Sequence, residues 1–222
     1  MKKRCYSLIM ATILSLLCFC PIVEGADMVD QLIEQLQGKK GYFDSTGKEL
    51  GSFASWTTRH YDEVIKIYAA KLLTQKITPE NRQKVVDALL DALKNGAEDR
   101  DTGDGIILNR SEIALALGMI GDESSIDPLL HKLCGTEKLP MVNSKGDQPD
   151  IIVRKTTSNL NIIKALGGFT GEKAIKAANV MQALSMMGQD KTIEDAINES
   201  INLIRNGSEL PKEMLLMPIR GL

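Results

Sequence analysis

Apolar residues recur along this chain at spacings of three and four, which is the period of an amphipathic α-helix. The first clear stripe comprises Val64, Ile65, Tyr68, Ala69, Leu72 and Leu73. Thr78-Pro79-Glu80 then combines a capping residue, a first-turn proline and an early acid, and predicts a second helix that ends at Asn95-Gly96. Its apolar face comprises Val85, Val86, Leu89, Leu90 and Leu93. Two such helices in succession predict a helical hairpin.

The same plan returns between residues 110 and 133. A first apolar face, which ends at Gly121, comprises Ile113, Ala116, Leu117 and Ile120. Ser124 or Ser125 is expected to cap the next helix, and Pro128 falls in its first turn, where the missing N–H costs little. The apolar face of this second helix comprises Ile126, Leu129, Leu130 and Leu133.

A third hairpin is predicted from Arg154 onward. Its first helix carries Leu160, Ile163 and Leu166, and a break at Gly167-Gly168 and Gly171 follows. The face of its second helix comprises Ala174, Ala177, Ala178, Met181 and Leu184. A last helix is predicted from Thr192, with Asp195 at the capping-box position. It would bury Ile193, Ala196, Ile197, Ile201 and Ile204.

Hairpins that recur at intervals of roughly 40 to 50 residues are the pattern of a helical solenoid. Gly118 and Gly167 each follow an Ala-Leu pair and stand 49 residues apart, whereas alternating β-branched runs are nearly absent. We therefore expect an all-α fold of about three to four helical hairpins over residues 57–206, in which each hairpin covers the apolar side of its neighbour.

One hairpin also carries a family-like signature. Arg110 precedes the Ala-rich stretch ALALGMIGD, from Ala114 to Asp122, and Ile126-Asp127-Pro128-Leu129-Leu130 follows. This segment resembles a HEAT-like repeat of the phycobilisome-lyase type. The likeness weakens over 57–95 and 151–188, where Asp122 has no counterpart and the proline is missing.

The resemblance implies a structural role for three charged residues. In such repeats an Arg and the Asp after the first helix pair across neighbouring repeats, which makes Arg110, Asp122 and Arg154 candidates for setting the stacking register. The alternative is that all three are solvated surface charges, which contribute about 0–1 kcal/mol.

Residues 1–25 have the pattern of a signal peptide. Lys2, Lys3 and Arg4 precede an apolar run from Leu8 to Cys20, and the expected cleavage lies before Ala26. The run is shorter than the ~18 apolar residues of a membrane span. Lipidation of Cys18 or Cys20 is the further alternative. We expect a secreted or periplasmic protein without stable membrane insertion after signal cleavage.

Cleavage would lower the basic count from 27 to 24 and the acidic count from 29 to 28, which gives a net charge of −4. This charge argues against nucleic-acid binding. Cys134 would be the only remaining cysteine, so no internal disulfide can form and the fold must be held by packing.

The sequence offers little catalytic chemistry. The acidic loop with Asp99, Asp101 and Asp104 resembles a calcium loop in composition, but its register departs from the EF-hand pattern and an inter-repeat turn is preferred. With only His60 and His131 available, a zinc site is not expected. We therefore predict no catalytic, cofactor-binding or metal-binding residues, and no cofactor.

Three segments lie outside the repeats. Residues 26–56 comprise an N-terminal helix and an aromatic segment, Gly41 to Trp56, expected to cover the open end of the first repeat. Leu139 to Val153 form an insert expected to project from one rim, where repeat proteins often acquire specificity. The C-terminal tail, 207–222, ends in a short apolar stretch that would close the other end or dock to a partner.

These features favour a non-catalytic scaffold that binds an unidentified protein partner in the cell envelope or outside the cell. The first alternative is an enzyme-assisting role, because lyase members of the resembling family attach bilin pigments to protein cysteines. The second alternative is a calcium-responsive module that uses the loop around Asp99, Asp101 and Asp104.

Overall fold

The structure is a computed structural model that describes residues 26–37, 66–67, 69–95, 99–100, 107–141 and 150–207; for residues 26–27, 99–100 and 107–110 it describes the backbone alone. The predicted signal peptide, the aromatic segment and residues 208–222 of the tail lie outside these ranges.

The N-terminal part consists of three helices. Helix α1, Ala26–Leu36, packs on helix α3, Arg82–Asn95. Between them, residues 69–75 form helix α2, and residues 66–67 are helical as well. Val85, Val86, Leu89 and Leu93 of α3 are buried and Leu90 is half-buried. The predicted hairpin is therefore confirmed where the structure describes it.

The middle hairpin follows a minimal strand pair. Strand β1, Asp99–Arg100, pairs antiparallel with strand β2, Ile107–Leu108, and places Asp99 opposite Leu108. Helix α4, Asn109–Ile120, follows directly, and Gly121 ends it at a φ of 66°. A 3-10 turn, Glu123–Ser125, leads into helix α5, Ile126–Cys134. All eight predicted apolar positions of α4 and α5 are buried.

The last three helices follow the second half of the insert. They are helix α6, Thr157–Leu166, helix α7, Glu172–Ser185, and helix α8, Lys191–Asn206. The predicted faces of α7 and α8 are buried throughout. The expectation of an all-α, HEAT-like helical repeat fold is confirmed, with the two-residue strands as its only described β-structure.

The first helices of successive hairpins pack directly on one another. Helix α4 contacts α6, and α6 in turn contacts α8. Helix α4 also contacts α3, the second helix of the hairpin before it, and α5 contacts both α6 and α7. Most buried apolar residues of the described chain belong to one cluster that runs from α1 to α8. The core is therefore continuous across the hairpins.

Helix α8 ends the series of packed helices with a polar outer face. Its buried side faces α6 and α7, whereas its exposed side carries charged and amide residues, Glu194, Asp195, Asn198, Glu199 and Asn202. Such a face is typical of a helix that no further described helix covers. Within the described residues, no helix is both long and apolar enough to cross a membrane.

Three helix starts differ from the predictions. Helix α3 begins at Arg82 rather than near Thr78, because Asn81 accepts the N–H of Thr78 at 2.7 Å and closes a turn before the helix. Ser125 makes no side-chain capping bond, and the capping oxygen at this corner belongs to Asp122. Asp190, not Thr192 with Asp195, caps α8 by accepting the N–H of Thr192 at 2.9 Å.

Candidate functional site

The corner between α4 and α5 joins two hairpins. Asp122 Oδ2 accepts a hydrogen bond from Arg82 Nε of α3 at 3.2 Å, and Arg82 Nη2 donates to the carbonyl of Ile120 at 2.7 Å. Asp122 Oδ1 accepts from the hydroxyl of Ser124 at 2.7 Å and from its N–H at 3.1 Å. These contacts lower the pKa of Asp122, the Ser124 hydroxyl having the largest effect. Asp122 therefore stays ionised and fixes α3 to the next hairpin.

The same corner touches the following hairpin. A Cβ atom at Gly171, which precedes α7, would lie 2.7 Å from Glu123 Oε1, and the φ of Gly171 is 91°. The positive φ favours glycine at this position, whereas the Glu123 carboxylate is the end of a flexible side chain and can move aside. The Glu123 carboxylate thus lies beside the N-terminal end of α7, where a negative charge is favourable.

The two Ala-Leu-Gly glycines have matching roles in packing. A Cβ at Gly118 would lie 2.6 Å from the carbonyl oxygen of Ala165, so α4 and α6 approach at backbone distance. A Cβ at Gly167 would lie 3.1 Å from the Cα of Ser200, so the end of α6 approaches α8 in the same way. The recurring Ala-Leu-Gly therefore marks where each hairpin contacts the next.

The C-terminal end of the insert is anchored to the helices. Ile151 and Val153 are buried, and the buried amide of Gln189 binds the backbone of both residues. Gln189 Oε1 accepts the N–H of Val153 at 2.8 Å, while its Nε2 donates to the carbonyls of Ile151 at 2.7 Å and Leu184 at 3.0 Å. The expectation of a projecting insert is wrong for Ile151 and Val153, whereas Asp150 and Ile152 are exposed and residues 142–149 lie outside the description.

A largely buried ion pair lies between α2 and α4. Lys71 Nζ is 3.5 Å from Glu112 Oε2, with side-chain exposures of 16% and 23%. Burial raises the pKa of Glu112, and the neighbouring Lys71 ammonium opposes this increase. The pair links the first helices of two hairpins, as the glycine contacts do further along the chain.

A groove separates the second helices α3 and α5. Helix α3 contributes Leu90, Asp91, Leu93 and Lys94 to its lining. Helix α5 contributes Pro128, His131 and Lys132, and the volume is about 410 Å³. The lining therefore combines apolar side chains with charged ones. This arrangement suits a binding site, because anchor residues of a partner are usually held in small desolvated pockets. We call this feature the α3–α5 groove.

The sulfur and imidazole near the groove have structural environments. Cys134 is buried, and burial raises the pKa of its thiol to about 11. A thiol of this kind is a poor nucleophile. His131 Nδ1 lies 3.1 Å from the carbonyl oxygen of Thr136, so Nδ1 carries a proton and donates it. His131 therefore fixes the turn after α5.

The charged residues that the sequence analysis singled out for structural or binding roles occupy different environments. Asp122 forms an inter-hairpin pair, but its partner is Arg82, which the sequence reasoning missed. Arg154 is exposed and contributes its carbonyl, which accepts from Asn159 Nδ2 at 2.9 Å. The side chains of Arg110 and Asp99, and all of Asp101, Asp104 and His60, lie outside the description.

Among the described side chains, no group of three His, Cys, Asp or Glu residues is arranged to hold a metal ion.

The sequence did not predict the contacts between hairpins that Gln189, Glu123 and Arg82 make. Nothing local marks them, because their partners lie 38, 48 and 40 residues away along the chain.

Comparison with known families agrees with this geometry. The family model described as PBS lyase HEAT-like repeat matches residues 110–133, which comprise most of α4, the corner at Asp122 and nearly all of α5. The chain carries a HEAT-like repeat. No curated protein and no solved structure matches it. The HEAT-like match and the helical packing indicate a helical repeat protein, a class suited to protein interaction.

Proposed function

We propose that this HEAT-like repeat protein is an exported, non-catalytic scaffold that binds another protein in the cell envelope or outside the cell. The α3–α5 groove is the observation that carries the proposal. Two hairpins linked by Arg82 and Asp122 line the groove with apolar side chains, Leu90, Leu93 and Pro128, beside charged ones. Such a surface loses little conformational entropy when a partner binds.

The packing of the hairpins supports a rigid surface. Gly118 and Gly167 bring successive first helices to backbone distance, and Gln189 fixes the insert to the α7–α8 corner. A partner would therefore meet a preformed face rather than one that must be ordered on binding. The environment of Cys134 also favours binding over nucleophilic chemistry.

Binding is tested with the chain from Ala26 to Leu222 as immobilised bait in an envelope fraction of the source cells, followed by purification of the captured protein and measurement of the complex mass. The proposal expects a stoichiometric complex whose partner is released chemically unchanged. A partner released with a new covalent modification would support the enzyme-assisting alternative. Failure of every purified candidate to form a stoichiometric complex would contradict the proposal.

Export rests on the pattern of residues 1–25 and has its own test. The full-length chain is expressed in its source cells, and the extracytoplasmic form is sequenced from its N-terminus. The proposal expects Ala26 as the first residue, with Cys20→Ser processed in the same way. A lipid-modified cysteine at the N-terminus, or a chain retained with Met1, would contradict cleavage before Ala26.

A further inference from the structure

We propose that residues 150–154 form the contact between two copies of this chain, which pair antiparallel with Ile152 of one copy opposite Ile152 of the other. This segment precedes α6 and shares no residue with the lining of the α3–α5 groove, so the inference goes beyond the proposed function. It rests on the direction of the backbone groups, on an exposed apolar side chain and on the order of charges along the segment.

Residues 150–154 run as an extended segment along the α7–α8 corner. Ile151 and Val153 are buried, whereas the residue between them and the residues on either side are exposed. Such alternation is the period of an extended chain, in which successive side chains point to opposite faces. The amide of Gln189 binds both the C=O of Ile151 and the N–H of Val153. One amide reaches both groups because they point to the same side of the chain.

The backbone groups of Ile152 therefore point to the opposite side. In an extended chain, the N–H and C=O of one residue point to one edge and those of the next residue to the other edge. Among the residues that the structure describes, none forms a hydrogen bond with the N–H or the C=O of Ile152. Ile152 is also 60% exposed. A donor, an acceptor and an apolar side chain are thus available together, as they are on the edge strand of a sheet.

The charges on either side of Ile152 make the segment complementary to a second copy of itself. Asp150 and Arg154 are both exposed and flank Ile152 at equal spacing. Within the described part of the chain, neither of these side chains has an ion-pair partner. An antiparallel pair centred on Ile152 would place Asp150 of each copy opposite Arg154 of the other. Opposite charges in directly facing positions stabilise such a pair, whereas like charges destabilise it.

The proposed contact is short. The two copies of Ile152 would exchange two hydrogen bonds, but the Arg154 carbonyl already accepts from Thr156 and Asn159, so the pairing ends there. Interfaces of this size belong to weak, reversible complexes rather than permanent ones. We therefore expect a dimer that forms as the concentration rises. A twofold pairing uses the same edge on both copies, so it closes at two chains and does not extend into a filament.

The test measures the dissociation constant of the dimer by analytical ultracentrifugation of the chain from Ala26 to Leu222, from micromolar to submillimolar concentration. Asp150→Arg leaves two cations beside Ile152, and Arg154→Asp leaves two carboxylates. Each variant alone is expected to raise the dissociation constant by about tenfold, because two attractive pairs become repulsive. An equimolar mixture of the two variants is expected to dimerise at least as well as the wild type, since the cations of one chain then face the carboxylates of the other.

Two controls separate the facing charges from the net charge. Asp150→Arg combined with Arg154→Asp in one chain restores opposite charges across the pair, and this double variant is expected to dimerise like the wild type. Glu172→Arg and Lys176→Asp make the same single charge changes on an exposed ion pair of α7. We expect each of them to change the dissociation constant by less than about twofold. Circular dichroism of every variant checks that its helical fold is unchanged.

Hydrogen exchange gives a second readout, because the Ile152 amide should exchange more slowly as the chain dimerises. Four outcomes would overturn the inference: a monomer at every concentration, a dimer that neither single reversal weakens, single variants whose mixture stays monomeric, or exchange at Ile152 that does not change with dimerisation. None of the substituted residues lines the α3–α5 groove. The capture of a native partner therefore tests the proposed function separately.

Discussion

Arg82 binds the corner of the next hairpin through two donors, one to the carboxylate of Asp122 and one to the carbonyl of Ile120. The two acceptors lie at the end of α4 and in the turn beyond it, 38 and 40 residues from Arg82. One guanidinium therefore fixes both the position and the direction of the chain where the second hairpin turns.

The energetic coupling of this pair is the first prediction. A double-mutant cycle with Arg82→Ala and Asp122→Ala should give a coupling energy of about 0.5–1 kcal/mol in urea unfolding, because the pair is only partly exposed. Arg205→Ala, which removes an exposed hydrogen bond to Gln182, is the control. It should lower the free energy of unfolding by less than Arg82→Ala does. Strictly additive single effects would mean that the pair does not set the register.

The pH dependence of stability is the second prediction. The folded-state pKa of Asp122 lies below the ordinary pKa of an aspartate, so its stabilising contribution is present above that ordinary pKa and is lost as the pH falls through the folded-state pKa. The difference in unfolding free energy between the wild type and Asp122→Asn should therefore shrink as the pH is lowered through this range. A difference that stays constant with pH would contradict the ionised role of Asp122.

Much of the helical core could be predicted from sequence because a stripe with a period near 3.6 depends only on neighbours along the chain. The faces of α5, α7 and α8 show this directly. Helix α4 differs, since Ala114 and Leu115 are buried as well as the predicted stripe. Its burial on further sides follows from contacts with α3 and α6, which no local pattern reveals.

Gly118 provides the third prediction. Gly→Ala inside a helix normally stabilises a protein by about 1 kcal/mol, but at Gly118 the new Cβ would lie 2.6 Å from the Ala165 carbonyl oxygen and 2.8 Å from its Cα. Backbone atoms can move aside only at a large cost in free energy. Gly118→Ala should therefore lower the free energy of unfolding in urea by about 2 kcal/mol or more.

Gly167→Ala is the graded comparison for this clash. Its Cβ would meet Ser200 at 3.1 Å, which is a milder contact, so the loss of stability should be smaller. A stabilised Gly118→Ala variant would show that α4 and α6 do not approach at backbone distance.

The fourth prediction concerns the insert. Gln189→Ala removes the hydrogen-bond partners of three backbone groups. It should lower the free energy of unfolding by about 2–3 kcal/mol. Hydrogen exchange at the Val153 amide should accelerate by about tenfold or more, because this amide loses its acceptor. Gln182→Ala, on an exposed bond to Arg205, is the control. Unchanged exchange at Val153 would indicate that the insert is held by its apolar contacts alone.

Prediction of the contacts between hairpins was less complete for a physical reason. Asp122 could be chosen because it occupies a recognisable corner, but Arg82 looks like any polar residue in the first turn of α3. Two caps were misplaced for a related reason: Asp122 and Asp190 each accept an N–H two residues ahead, and several Ser, Thr and Asp residues near each corner fit equally well.

The central claim is that the register-fixed hairpins present the α3–α5 groove to a protein partner. Its most direct test is amide chemical-shift mapping of the chain from Ala26 to Leu222 during titration with the purified native partner. The account predicts saturation at equimolar partner, with the largest changes at the amides of residues 90–94 and 129–132. Changes confined to the polar outer face of α8, or changes that do not saturate, would contradict it.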